Sequence, residues 1–169
     1  MPMQIRHATP ADAEAISAVA RQTFALACPP DTPHDVIVAY IDDNFTAARF
    51  GAVLTNAQYE VRVADDAGAV AGFSVINRSP ARLGVPAADG IPELSRCYVL
   101  AAHHGSGLAQ QLMSATLAAV SGPIRLTVSE ENAKAIRFYT RNGFAEVGET
   151  TFQCGDDAQR DLVMVRSGA

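Results

Sequence analysis

Gly105 and Gly107 stand one residue apart, after a run of alternating character and before Leu108, Leu112, Ala115 and Val120 at helical spacing. A strand, a glycine loop and a helix in that order leave backbone N–H groups open at the positive end of a helix dipole, a cradle suited to a diphosphate. Two familiar nucleotide signatures do not fit. A Walker loop ends in Gly-Lys-Ser/Thr, where this chain has Gly107-Leu108-Ala109, and a dinucleotide fingerprint starting at Gly105 needs a small residue at position 110, which is Gln. By itself the loop reads equally well as a ligand-free turn. Cys97 sits mid-strand among apolar residues with no base spaced for it and reads as core. His103 and His104 project differently and have no acidic or cysteine partner at metal-ligand spacing, so no metal is expected.

A second stretch gives the loop a context. Asn132 to Phe144 (Asn-Ala-Lys-Ala-Ile-Arg-Phe-Tyr-Thr-Arg-Asn-Gly-Phe) is an amphipathic helix closed by Asn142-Gly143, after a strand-like Ile124–Val128. With the loop His104-Gly105-Ser106-Gly107-Leu108-Ala109 before it and the opening Ile5-Arg6-His7-Ala8-Thr9-Pro10-Ala11-Asp12, the chain resembles the GNAT superfamily of N-acetyltransferases. That superfamily's loop reads Arg/Gln-x-x-Gly-x-Gly/Ala, and its later helix reads Asn-x-x-Ala-x-x-Phe-Tyr-x-x-x-Gly-Phe. The second pattern is matched here at every named position, and the resemblance spans almost the whole chain.

The resemblance implies a single-domain α/β (α+β) fold over residues 1–169, a mixed, mostly antiparallel sheet flanked by helices. It implies acetyl-CoA as cosubstrate, held by residues 104–109, and acetyl transfer to a primary amine in a ternary complex. Such a transfer needs a base for the amine, donors for the oxyanion and a proton for the departing thiolate. On this analogy Tyr139 is the general acid and Glu93 the base, directly or through water. Main-chain groups of Tyr98 and Val99 pair with the pantetheine arm, the Val99 N–H facing the acetyl carbonyl. Asn132 bonds the arm or a bridging water, or caps its helix. Arg141 meets the coenzyme phosphates or sits in solvent, and Arg137 is expected in solvent. Two residues depart from the pattern: His104 replaces Arg or Gln, and Ala101 stands where proline is frequent.

Composition bounds the rest. The 169 residues suffice for one well-buried domain, with 49% hydrophobic and 18% charged residues and no repeat or membrane-length apolar run. A net charge of -5 disfavours nucleic-acid binding and suits a cationic acceptor. The odd count of three cysteines, without Cys-x-x-Cys, reads as reduced thiols. Met-Pro-Met-Gln-Ile-Arg lacks the build of a signal peptide, so a cytoplasmic location is expected.

The elements that must position the site follow from periodicity. They are a strand over 3–8, a helix from the Thr9-Pro10 start to before Cys28, a helix over 35–45 and a short helix within 46–55. Then come a hairpin over 59–76 turning at 65–68, a central strand over 91–100, and a helix to about Ser121. A closing antiparallel pair, 145–153 and 161–165, turns at 154–157. The proline-rich 28–33 segment, with Asp31 and His34 at its edge, is the candidate acceptor-shaping loop. Asp42-Asp43 suggests an acidic pocket edge for a polyamine, or a solvated helix end. A small amine or polyamine is the preferred acceptor, a protein N-terminus or lysine the rival. A non-catalytic coenzyme A-binding module is the alternative, and a homodimer the candidate assembly.

Overall fold

The structure, a computed structural model, describes residues 3–168; Met1 and Pro2, which enter the signal-peptide reading, and Ala169, the end of the expected domain, lie outside the described residues. Strand β1 (Met3–His7) leads through a 3-10 turn (Pro10–Asp12) into α1 (Ala13–Ala27). Asp12 fixes this entry: its carboxylate accepts the Thr9 N–H at 2.7 Å and both ends of the Arg6 guanidinium at 2.9 Å. Ile16, Val19, Ala20 and Phe24 form the buried stripe of α1, which stops before the prolines. Next come α2 (His34–Asn44) and α3 (Ala47–Leu54), the latter capped by the Thr46 hydroxyl accepting the Arg49 N–H.

Strands β2 (Tyr59–Asp66) and β3 (Ala69–Asn77) form the expected hairpin, but its turn is tighter than the four residues expected. Ala67 and Gly68 both have positive φ, 53° and 95°, the pattern of a two-residue turn that follows strand twist, so Asp65 and Asp66 extend β2. After β4 (Glu93–Val99) a 3-10 turn and the glycine loop lead into α4 (Leu108–Ala118). This helix ends short of Ser121, because the Ala119 and Val120 N–H groups close i−3 bonds to Thr116 and Leu117. Then follow β5 (Ile124–Ser129), α5 (Ala133–Arg141), β6 (Phe144–Cys154) and β7 (Asp157–Arg166). The last turn is Gly155-Asp156, so β7 starts four residues before the expected Asp161 and places Gln159 and Asp161 inside the sheet.

Among the described residues seven strands form one sheet in the order β1-β2-β3-β4-β5-β7-β6, antiparallel except for β4–β5. Helices α1–α3 cover one face around Phe24, Phe45, Phe50 and Phe73. The other face is covered by α4, with Leu112 and Met113 fully buried, and by α5. Among the described residues no helix is long and apolar enough to cross a membrane.

Two irregularities shape the middle of the sheet. The parallel pair β4–β5 is registered only at Glu93↔Arg125, beside an Arg125 N–H bond to the Pro92 carbonyl, and the strands part beyond it. In addition, β4 carries a bulge. Val75 pairs with Arg96 and Ile76 with Leu94, so Ser95 is the extra residue. The bulge resets the alternation of β4, turning Leu94 and Cys97 to the α5 side and Tyr98 to the α1–α3 side.

Candidate active site

The gap between β4 and β5 opens into two adjoining cavities. The larger, about 740 Å³, runs from the glycine loop along α5. The smaller, about 150 Å³, lies between the C-terminal end of α1 and strands β4–β7. Both are lined by Cys97, Tyr98, Asn132, Ala135 and Tyr139, so they meet at the splay. An anionic, elongated ligand fits the larger cavity by its chemistry: loop N–H groups at one end, an open strand edge in the middle and basic side chains along the rim.

The loop works as a backbone device. Gly105 and Gly107 have φ of 81° and 85°, the left-handed region where a Cβ is strained. The His104 and Ser106 N–H groups are spent on the Ala101 and His103 carbonyls, which removes those two amides from an anion cradle. The first helical bond of α4 runs from the Gln111 N–H to Gly107, leaving the Ala109 and Gln110 N–H groups without helical acceptors. Leu108 turns its side chain into the core, 3% exposed, and its N–H lies 3.4 Å from the Ser106 hydroxyl. Ser106 itself donates its hydroxyl to the His103 carbonyl and does not line the cavity.

His104 lines the cavity, yet its ring is tied back: Nε2 lies 3.0 Å from the Val99 carbonyl and donates to it. The imidazole that stands where the resembling pattern has Arg or Gln thus clips the loop to the end of β4. The Leu100 N–H donates to Ala71 on β3 at 2.9 Å, so by strand alternation the Val99 N–H and carbonyl point away from β3 into the gap. The same alternation turns the Tyr98 main chain toward β3, against the expectation that it meets the ligand. The Tyr98 carbonyl lies close enough to Gly72 that a Cβ there would stand 2.8 Å from it. What Tyr98 offers the cavities is its side chain.

Asn132 holds two positions at once. Its side-chain oxygen accepts the Ala135 N–H at 3.1 Å and caps α5, and it also lines both cavities. Arg141 lines the larger cavity, and so do Lys134 and Arg137, giving that rim three exposed cations on one helix. Arg137, expected in solvent, therefore stands on the rim of the cleft.

Tyr139 is half-buried at the junction, its ring packed edge-on to Phe144 and tilted against Phe138. Its hydroxyl makes no hydrogen bond to the described residues. Burial, then the neighbouring Cys97 and Tyr98, pushes the phenol's pKa well above its usual value, so the proton is present at any physiological pH. Cys97, expected in the core, lines both cavities, and burial pushes its thiol up to about 12, far from a thiolate nucleophile.

Glu93 is the clearest correction. It lies outside the lining of both cavities and its carboxylate accepts the Arg125 Nε at 3.2 Å. Arg125 is 1% exposed and also donates to the Ala88 and Ala81 carbonyls at 3.1 and 2.6 Å. A buried arginine needs counter-charge, and Glu93, with Asp89 3.7 Å from the guanidinium, supplies it, so Arg125 pins the 78–92 loop across the start of β4. Its place at a strand end is legible in the sequence; its partner, 32 positions on, is not.

The acceptor-side expectations divide similarly. Phe24, Ala27 and Cys28 line the smaller cavity, whereas Asp31 and His34 are exposed and do not. Asp42 and Asp43 are exposed on α2 and line neither cavity, and Asp42 pairs with Arg21, so the acidic pocket edge is absent from this site. Two charged residues do line the smaller cavity, Arg96 and Asp161. Asp161 is 7% exposed, and burial pushes its carboxyl up to about 6. A charge inside the apolar alternation of β7 was the available signal for it.

Residues 57–146 match the model of an acetyltransferase (GNAT) domain. An uncharacterized N-acetyltransferase of Mycobacterium tuberculosis is 36% identical over 159 residues, 92% of this chain and 97% of the relative. Among solved structures, the PaiA N-acetyltransferase of Thermoplasma acidophilum in complex with coenzyme A superposes with a TM-score of 0.78 at 18% identity, covering 99% of both chains. The ribosomal-protein-S18-alanine N-acetyltransferase of Escherichia coli gives 0.71 at 16%, covering 99% of this chain and 95% of that one. At such identities these two structures speak for the fold alone. The family match and the relative, set on a splayed strand pair beside a glycine loop, establish that this chain is an acetyl-CoA-using N-acetyltransferase and belongs to the GNAT family.

Proposed function

We propose that the protein transfers the acetyl group of acetyl-CoA to the primary amine of a small molecule by direct attack in a ternary complex. The observation that carries this is the junction: a cavity for an elongated anion and a second, smaller cavity share one wall, at Tyr139 and Cys97. In this reading the single domain over residues 1–169 acts in the cytoplasm, with a homodimer as the assembly to test.

In this arrangement the Gly105, Gly107, Ala109 and Gln110 N–H groups and the Lys134, Arg137 and Arg141 side chains meet the phosphates. The Val99 N–H donates to the acetyl carbonyl, and the remaining hydrogens of Asn132 face the arm. Tyr139 is a hydrogen-bond donor to the departing sulfur. Its pKa lies above a thiol's reference of about 8.5, so full proton release to the thiolate is uphill. The phenol therefore stabilises the sulfur's charge while a proton from the attacking nitrogen passes along the same line.

A thiol-release assay over amines, amino acids, polyamines and peptides tests the reading, with calorimetry for acetyl-CoA alongside. Turnover of a small amine is expected. Acetyl-CoA binding with turnover only of peptides would replace the acceptor class, and binding with no turnover at all would favour a non-catalytic coenzyme A-binding module.

A further inference from the structure

Arg96 and Asp161 line the smaller cavity, and neither has a protein counter-charge within 4 Å among the described residues. The Arg96 guanidinium is half-buried, 3.2 Å from the Tyr98 hydroxyl, beside the Tyr40 phenol and 4.7 Å above the centre of the Phe45 ring. An aromatic face and a phenol orient a cation but do not neutralise it. The Asp161 carboxylate forms no hydrogen bond to the described residues. It is carried into the cavity by β7, opposite Ser129 of β5.

Two opposite charges drawn partly out of water in one cavity, and not satisfied by each other, are costly to fold. A ligand carrying a cation and an anion of its own relieves both. Resting on the acetyltransferase reading above, we propose that the acceptor is an amino carboxylate: its carboxylate pairs with Arg96, and its ammonium with Asp161, which accepts the first amine proton. A polyamine would set a second cation against Arg96. A peptide N-terminus would bring no anion, and the cavity, about 150 Å³ with Phe24 and Phe152 as apolar walls, suits a small molecule.

The step balances. Asp161 takes one proton from the ammonium, the nitrogen lone pair forms the C–N bond, and the C–S bond breaks with its electron pair on sulfur. The second nitrogen proton moves to sulfur past the Tyr139 hydroxyl. The proton on Asp161 leaves to water, giving the N-acetylamino carboxylate, the free thiol and one released proton.

The test uses the full chain, acetyl-CoA and matched pairs that differ by the carboxylate: phenylalanine and phenethylamine, leucine and isopentylamine, ornithine and putrescine. The acid of at least one pair is expected to show kcat/KM about 100-fold above its amine, the discrimination of a site built around a buried charge. Arg96→Gln is expected to bring that pair within about threefold, chiefly by raising KM for the acid, and Arg96→Lys to restore part of the gap. Asp161→Asn is expected to lower kcat while acetyl-CoA binding by calorimetry persists. Amines turned over as well as their acids, an Arg96→Gln loss equal for both members, or no turnover of any acid would each overturn the proposal. Absence of acetyl-CoA binding would instead strike the acetyltransferase reading, so the two failures are distinguishable.

Discussion

Replacing Asp161 by Asn should make the protein more stable at neutral pH while making it a poorer enzyme. Burial moves this carboxyl from 3.8 to about 6, so the folded state holds the proton more tightly than the unfolded chain does. Well below pH 4 both states are protonated and the group adds no strain. Between about pH 4 and pH 6 the unfolded chain has lost this proton while the folded protein still holds it, so stability falls by about 3 kcal/mol over that range and levels off by pH 7, where the folded protein carries a buried anion. Asn removes the charge but leaves a polar amide in the cavity, so the gain at pH 8 should be about 1–3 kcal/mol. For a chain of this size that corresponds to a rise in Tm of roughly 3–10 °C. Calorimetric melting of both proteins at pH 4 and pH 8 checks the sign. A gain at pH 8 that vanishes at pH 4 is expected. An unchanged or lower Tm at pH 8, or an equal gain at both, would refute the claim that Asp161 is a desolvated carboxylate without a partner.

Tyr139→Phe should lower kcat by roughly 10- to 100-fold with acetyl-CoA affinity intact, because only the donor to sulfur is lost; steady-state kinetics with calorimetry reads this out. Arg125→Met should cost about 3–5 kcal/mol in denaturant unfolding, since it strands Glu93 and frees the Ala81 and Ala88 carbonyls. Glu93→Gln should act on the same measurement, with less effect on kcat than Asp161→Asn. His104→Ala removes the clip to the Val99 carbonyl and should raise KM for acetyl-CoA about fivefold, the value of one hydrogen bond, with kcat nearly unchanged. Gly107→Ala, forced into φ of 85°, should weaken acetyl-CoA binding without altering the preference among acceptors.

The cofactor half of this protein was legible in the chain because its information is local. Gly105 and Gly107 are needed where they stand since their backbone is left-handed, and Asn132 caps the helix it precedes. The 3.6 spacing from Ala135 to Phe138 sets the packing side of α5 within a few residues. Periodicity is local too and marks each element, but it does not separate a two-residue turn such as Ala67-Gly68 from a four-residue one, which shifts strand ends by a few residues. The acceptor half was not legible, because charge has meaning only through what surrounds it in space. Glu93 reads in sequence as a base at a strand end, whereas in the fold Arg125 of the neighbouring strand holds its carboxylate. Asp42-Asp43 reads in sequence either as a pocket edge or as a solvated helix end, and α2 carries it into solvent. Arg96 and Asp161, 65 positions apart, gained importance only when a bulge in β4 and the early start of β7 brought them to one cavity. Backbone conformation is fixed by neighbours in sequence, whereas burial and electrostatic pairing are properties of the folded sheet.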